Sequence, residues 1–528
     1  MKIKVIEFIV AFALVFCAVG CYDSEDKIRE DQKKIIINLA YDPPELNSIL
    51  SMDSVSFNII NHVFEGLTRL GKNQNIIPGI AKKIDISEDR LTYTFYIRNS
   101  KWSDGSKISA KDFEFAFKEV LNPKNLSEYA SIMYMIKNAK QYNLGKAQRE
   151  DVGVVAKGDN ILEVTLEKPC SYFLYLTATS PFMPIKKKFY ERQEGQYAKT
   201  EKNMIFNGAW VIDTWIHGKK IVLKKNLNYW NNANIKLNEI ELLMIKDEEI
   251  LYNMFKQNKI DMIDVRGEYI KRAKDAGYQV KNYLNGATEY LEFNMNSDVL
   301  KNRNIRKAIT YVIDRNELCN TVLKNECIEA NTFTNPVVLN GNDITVKKSS
   351  LNKKQRIKKA KELFNRGLRE LGNIGDINLK LLTNDSENSI KRAKYYAENI
   401  EKNLGIKISL EKVTFKEKLI KHKNCDFDIE VVCISPDYNS PITYLDMLGE
   451  NNSLIYINNE YNKILENAKQ ELSNKKRMEM FKKMENIIID DVPIYPLCYR
   501  NVHYIVKNNL KDMVRCAFEE FNMYNAGY

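Results

Sequence analysis

The chain has 528 residues, too long for a single core, so about two to four domains are expected. Hydrophobic side chains at 44% and aromatic ones at 10% exclude a disordered protein. The formal net charge of +11 comes from 80 basic and 69 acidic side chains. The bases lie scattered among acids, as in "KDEEI" and "EKNLGIKISLEKV", with no long basic arm. No nucleic-acid partner is therefore expected, and contact with anionic lipid headgroups is the milder reading of the charge.

Lys2 and Lys4 precede an uncharged stretch from Phe8 to Tyr22, which Asp23, Glu25 and Asp26 end. Those fifteen residues fall short of the roughly 20 needed to cross a bilayer. The pattern predicts a secretory signal over residues 1–20. It ends in "CAVGC", Cys17 to Cys21, which is similar to the lipobox of bacterial lipoproteins, with Cys21 as the lipidated residue. Ala18 stands where a Leu is usual, and Glu7 interrupts the apolar run. A plain exported protein or an uncleaved anchor are the alternatives. Residues 21–33 are polar and mixed in charge, and are expected to act as a tether between lipid and fold.

"LTYTFYI", Leu91–Ile97, alternates like a half-buried strand. A turn at Asp104-Gly105 follows, and Ser109 with Asp112 forms a capping box for a helix. Phe113, Ala116, Phe117, Val120 and Leu121 make one apolar face of that helix. The same spacing recurs at Ile305, Ala308, Ile309, Val312 and Ile313, and at Met478, Phe481, Met484, Ile487 and Ile488. These are core stripes. "KISL", Lys407–Leu410, and "DIEVVCI", Asp428–Ile434, read as strands. Ser440-Pro441 predicts a helix start, which puts Asp437 on the loop just before it. Such strand-to-helix loops are where α/β folds place ligand contacts. The fold class is mixed α/β.

Nine cysteines become seven without Cys17 and Cys21. An odd number, irregular spacing and the lack of a Cys-x-x-Cys pair argue against a disulfide framework or a zinc site. The remaining cysteines read as buried small hydrophobes. His62, His217, His422 and His503 are isolated in sequence, so no metal site is expected. No nucleophile elbow, dinucleotide fingerprint, phosphate loop or zinc-protease helix occurs, so no enzyme is expected, and no cofactor.

Four segments, in order, resemble the family 5 solute-binding proteins of ABC importers, in particular the oligopeptide-binding lipoprotein type. They are "HVFEGLTRLGKNQNIIPGIAKKIDISEDRLTYTFYIRNSKWSDGSKISAKDFEFAFKEVLNP" from His62, "NGAWVIDTWIHGKKIVLKKNLNYW" from Asn207, "LEFNMNSDVLKNRNIRKAITYVIDR" from Leu291, and "PDYNSPITYLDML" from Pro436 followed by "VPIYPLCY". The resemblance covers residues 35–510.

It implies a periplasmic-binding-protein-like two-lobe fold (type II, cluster C) with an extra α/β domain and a two-segment hinge. Lobe I is expected from 34–64, 187–286 and 503–528, the extra domain from 65–186, and lobe II from 287–502. Closure of the lobes traps an extended peptide. The implied role is a lipid-anchored, monomeric receptor on the extracytoplasmic face of a bacterial cell membrane. It delivers oligopeptides to ABC permease subunits served by cytoplasmic ATPases.

The resemblance also implies site residues. Asp437 occupies the position that receives the peptide's α-ammonium, where a carboxylate is a charge-assisted acceptor; without the family, an Asx-turn is the plainer role. Cys433, Ile434 and Ser435 on one side, and Met52, Asp53 and Ser54 on the other, are expected to hold the peptide main chain as an added strand. Tyr129, Tyr290, Phe415, Leu419 and His422 are expected to line side-chain pockets. Trp102 is structural. Val431 and Ile434 replace a family Arg and Trp, which leaves the partner of a peptide C-terminus open. A dipeptide, nickel chelate, sugar or antibiotic on the same fold, or a peptide-pheromone receptor, are the alternatives.

Overall fold

The computed structural model describes residues 33–39, 41–71, 74–324, 326–344, 346, 351–450, 456–518 and 521–528. The expected signal segment, Cys21 and all of the tether except Lys33 lie outside the described residues. No helix among the described residues is long and apolar enough to cross a membrane.

The sheet that organises the molecule has eleven strands. Its path runs 407–413, 378–384, 429–434, 281–293, 494–506, 262–265, 34–38, 239–243, 220–225 and 210–216, with 327–329 paired off the path to 494–506. Two 13-residue strands at its centre, Lys281–Phe293 and Ile494–Val506, pair antiparallel along nearly their whole length. At one end Val506 to His503 pair with Met262 to Val265. At the other, Thr288 to Phe293 pair with Ile434 to Ile429. The two strands thus belong to both halves of the sheet. Their pairing slips between Leu284 and Thr288, around Gly286 at φ +79°.

The expected local elements form where their patterns place them. Residues Thr92–Ile97 are a strand with alternating burial in a separate four-stranded antiparallel sheet. The Ser109–Asp112 capping box starts the helix Ala110–Val120, whose Phe113, Ala116, Phe117 and Val120 are buried. Phe117 meets Phe182 at 5.0 Å, and Tyr93 meets Phe173 at 4.7 Å. Trp102 is fully buried. Ile305, Ala308, Ile309 and Val312 of the helix Arg303–Val312 enter a second core, with Leu291, Phe293, Tyr396 and Ile429. A smaller core surrounds Leu251, Phe255, Ile260 and Ile505.

Two of the family-like segments meet at one buried carboxyl. Glu65 of "FEGL" accepts from the Tyr229 hydroxyl at 2.7 Å and from the Trp230 indole, both of "NYW". The Arg69 guanidinium stands 3.4 Å away, and Arg98 stacks 3.5 Å over the Trp230 ring. Burial pushes the Glu65 carboxyl above its usual range against these donors. Removing this acid would leave several buried donors without an acceptor, so the motif reads as a structural keystone.

Candidate ligand-binding cleft

A cleft of about 920 Å³ opens where the two long strands cross between the halves of the sheet. The end of the strand Ile429–Ile434 and the following loop form one wall, from Val432 to Asn439. Met52, Ser54, Val55 and Phe57, at the start of the helix Ser54–Val63, face it, and Tyr129 stands beside them.

The strand that carries this wall is only half paired. Its neighbour Asn378–Asn384 pairs with it at Ile429 and Glu430 alone. Beyond that point the far edge of Val432 to Ile434 has no strand partner among the described residues, while the near edge is held by Thr288 to Tyr290. An open edge with free backbone donors and acceptors is a template for another strand.

Asp437 lies on this wall, with its side chain exposed to the cleft. Its Oδ1 accepts from the Tyr129 hydroxyl at 2.9 Å. Its backbone N–H donates to Thr443 Oγ1 at 3.1 Å. Among the described residues no Lys or Arg pairs with the carboxylate and no backbone N–H donates to it, so the Asx-turn is not formed. Burial raises the Asp437 carboxyl above its ordinary value, and the Tyr129 bond only partly opposes this. The Tyr129 hydroxyl is pushed well up in turn, by burial and then by Asp437. The predicted helix after Ser440-Pro441 is a single turn, Ile442–Leu445, continued as a tighter turn over Asp446–Leu448.

The sequence-predicted residues divide into two groups. Asp437, Cys433, Ile434, Ser435, Met52, Ser54 and Tyr129 all line the cleft. Asp53 instead caps the helix Ser54–Val63, accepting from the Ser56 N–H at 2.9 Å and its hydroxyl at 2.6 Å. Tyr290 is buried against Phe333 at 5.1 Å, in the core behind the sheet. Strand alternation sends it there, away from the face of Glu289. Phe415 and Leu419 are 64% and 53% exposed on the helix Phe415–Lys423 and do not reach the cleft. His422, on the same helix, bonds Glu430 at 2.9 Å and stands 3.5 Å from Glu292, while Lys418 Nζ sits 2.8 Å from Glu430. That three-group cluster could hold a cation, but Lys418 already supplies the counter-charge. Cys433 is not the buried small hydrophobe the cysteines were read as, because its surface is open to the cleft.

Other cleft residues carried no signal in the sequence. Arg515 pairs with Asp264 and lies 4.9 Å over the Tyr283 and Tyr504 rings. Arg266 lines the cleft with an exposed guanidinium that pairs with no carboxylate among the described residues. These residues come from distant parts of the chain and meet only through the sheet.

The profile of the bacterial extracellular solute-binding proteins, family 5 Middle, matches residues 75–454. The chain belongs to this family. The oligopeptide-binding protein OppA of Bacillus subtilis (strain 168) is 32% identical over 541 residues, covering 99% of this chain and 98% of that protein. The dipeptide-binding protein DppE of the same organism is 30% identical over 517 residues, covering 96% and 94%. Listeria monocytogenes OppA bound to peptide superposes with a TM-score of 0.79 at 30% identity, over 94% of this chain and 99% of that one. The family members it resembles are solute-binding proteins with the two-lobe type II fold, and the long shared strands are how this chain builds it.

Proposed function

We propose that the protein is the substrate-binding component of a peptide ABC importer, held outside the cytoplasm by lipid on Cys21, and that it captures peptides with a free N-terminus. The carrying observation is Asp437. Its side chain lines the cleft with one neutral donor, Tyr129, and no counter-ion among the described residues. A peptide α-ammonium supplies the missing charge and three donors. The open edge of Val432 to Ile434 supports main-chain pairing without side-chain selection. Arg266 offers a guanidinium to the peptide's carboxylate, in place of the family Arg that Val431 lacks.

In this reading residues 34–64, 187–286 and 503–528 form one lobe and 287–502 the other, with 65–186 as the extra domain. The two lobes close about the two shared strands. The relatives include oligopeptide-binding and dipeptide-binding proteins, so peptide length is the property to measure. Native mass spectrometry of gently purified protein should show retained short peptides. Competition binding should then show N-acetylated peptides failing where the same free peptides succeed. Equal competition by both would remove the ammonium anchor.

A further inference from the structure

Three cysteines far apart in the sequence share one buried point. Cys319, Cys327 and Cys498 are all buried, and their sulfurs lie within 4.8 Å of one another. Each is positioned by a different element. Cys498 sits on the long strand Ile494–Val506, opposite Glu289 on one side and Glu329 on the other. Cys327 lies on the short strand Cys327–Glu329, opposite Arg500. Cys319 is carried by a π-helical turn, Leu318–Val322, closed by the Leu323 N–H on the Leu318 carbonyl at 2.9 Å. Such widened turns are rare and frequent at functional sites.

We propose that this thiol triad is a binding site for a single cuprous ion, separate from the peptide cleft. The donor set argues for the metal. Thiolates are soft ligands that select copper(I), zinc or iron–sulfur clusters. Structural zinc takes four ligands in a tetrahedron, and 2Fe–2S and 4Fe–4S clusters also take four. The group here has three sulfurs and no fourth Cys, His, Asp or Glu among the described residues. Of the two acids opposite Cys498, Glu289 is engaged by Arg392 at 2.6 Å and by the Tyr396 hydroxyl at 3.0 Å, and Glu329 accepts from the Asn316 side-chain amide at 3.1 Å. Three convergent buried sulfurs, in the same core as Leu318, Leu323 and Leu497, suit a trigonal cuprous ion.

Each coordinating thiol gives up its proton to solvent as the metal enters, and no electron is transferred. Cys327 stands opposite Arg500 in the sheet, which puts one cation beside the site.

The test uses the full chain, reduced and kept anaerobic, with copper(I) supplied in the presence of a copper(I) chelator as competitor. The expected result is one copper retained per chain, with an X-ray absorption shell of three sulfurs. Cys319→Ser, Cys327→Ser and Cys498→Ser should each lose the metal, and Cys425→Ser should keep it. Failure of the folded wild-type chain to retain copper against the chelator would overturn the proposal. So would a first shell with fewer than three sulfurs, a readout that stands even where the serine variants fold poorly.

Discussion

Asp437 carries a cost in the ligand-free protein. Its folded carboxyl titrates above the unfolded value, so the stabilising contribution belongs to the protonated form and is lost as pH rises through the folded pKa. At neutral pH the ionised group carries a penalty, which the proposed peptide ammonium would relieve. Asp437→Asn should therefore weaken peptide binding by about 3–5 kcal/mol, roughly two to four orders of magnitude in Kd, as for breaking a buried pair. The same variant should not lower the melting temperature of the peptide-free protein. Calorimetric titration and thermal unfolding read the two arms, and unchanged affinity would exclude the anchor. The pH dependence follows with the same sign. Peptide affinity should fall on acidification, as a proton competes for Asp437. It should fall again on the alkaline side as the peptide amine, near about 7.7–8.0, loses its charge. Titrations across pH check both limbs, and Asp437→Asn should flatten the acid one.

The element that places Asp437 is the strand crossing at Gly286. At φ +79° an L side chain is strained, and a Cβ there would lie 2.6 Å from Pro436 Cδ and 3.0 Å from Ala517 Cβ. The Gly286 carbonyl also accepts from the buried Tyr444 hydroxyl, which ties the strand to the turn after Asp437. Gly286→Ala should destabilise the fold by about 1–3 kcal/mol through overpacking, with the positive φ adding to it. It should also weaken peptide binding, because Pro436 can only yield by moving the Asp437 loop. Denaturant unfolding and peptide titration measure the two, and no change in either would mean that the loop is not held by this contact. Elements also show where sequence reading failed. Phe415 and Leu419 belong to a helix whose apolar stripe is weak, and position in the chain was the sole guide to them. Tyr290 was an apolar residue on a strand with both faces covered, and alternation cannot say which face is the cleft.

In the whole molecule, two strands serve both halves of one sheet, and the proposed closure would bend about them. Closure on a peptide should lower the radius of gyration in small-angle scattering, and Asp437→Asn at the same peptide concentration should restore the open value. A wild-type radius that ignores saturating peptide would count against closure. The cleft collects its groups over long distances in the chain. Tyr129 and Asp437 are 308 positions apart, and Arg515 reaches Asp264 across 251.

Local pattern was enough for the capped helix Ala110–Val120, the alternating strand Thr92–Ile97 and the core stripe of Arg303–Val312, because each depends on neighbours three or four residues away. Family likeness in four ordered segments was enough to name the binding family, and the loop it singled out at Asp437 lines the cleft. Neither could show that Tyr129 bonds that carboxylate, that Glu65 joins two of the segments, or that Cys319, Cys327 and Cys498 converge. Those facts depend on which strands become neighbours, and strand order is set by the sum of burial over the whole sheet, which no short stretch of sequence contains.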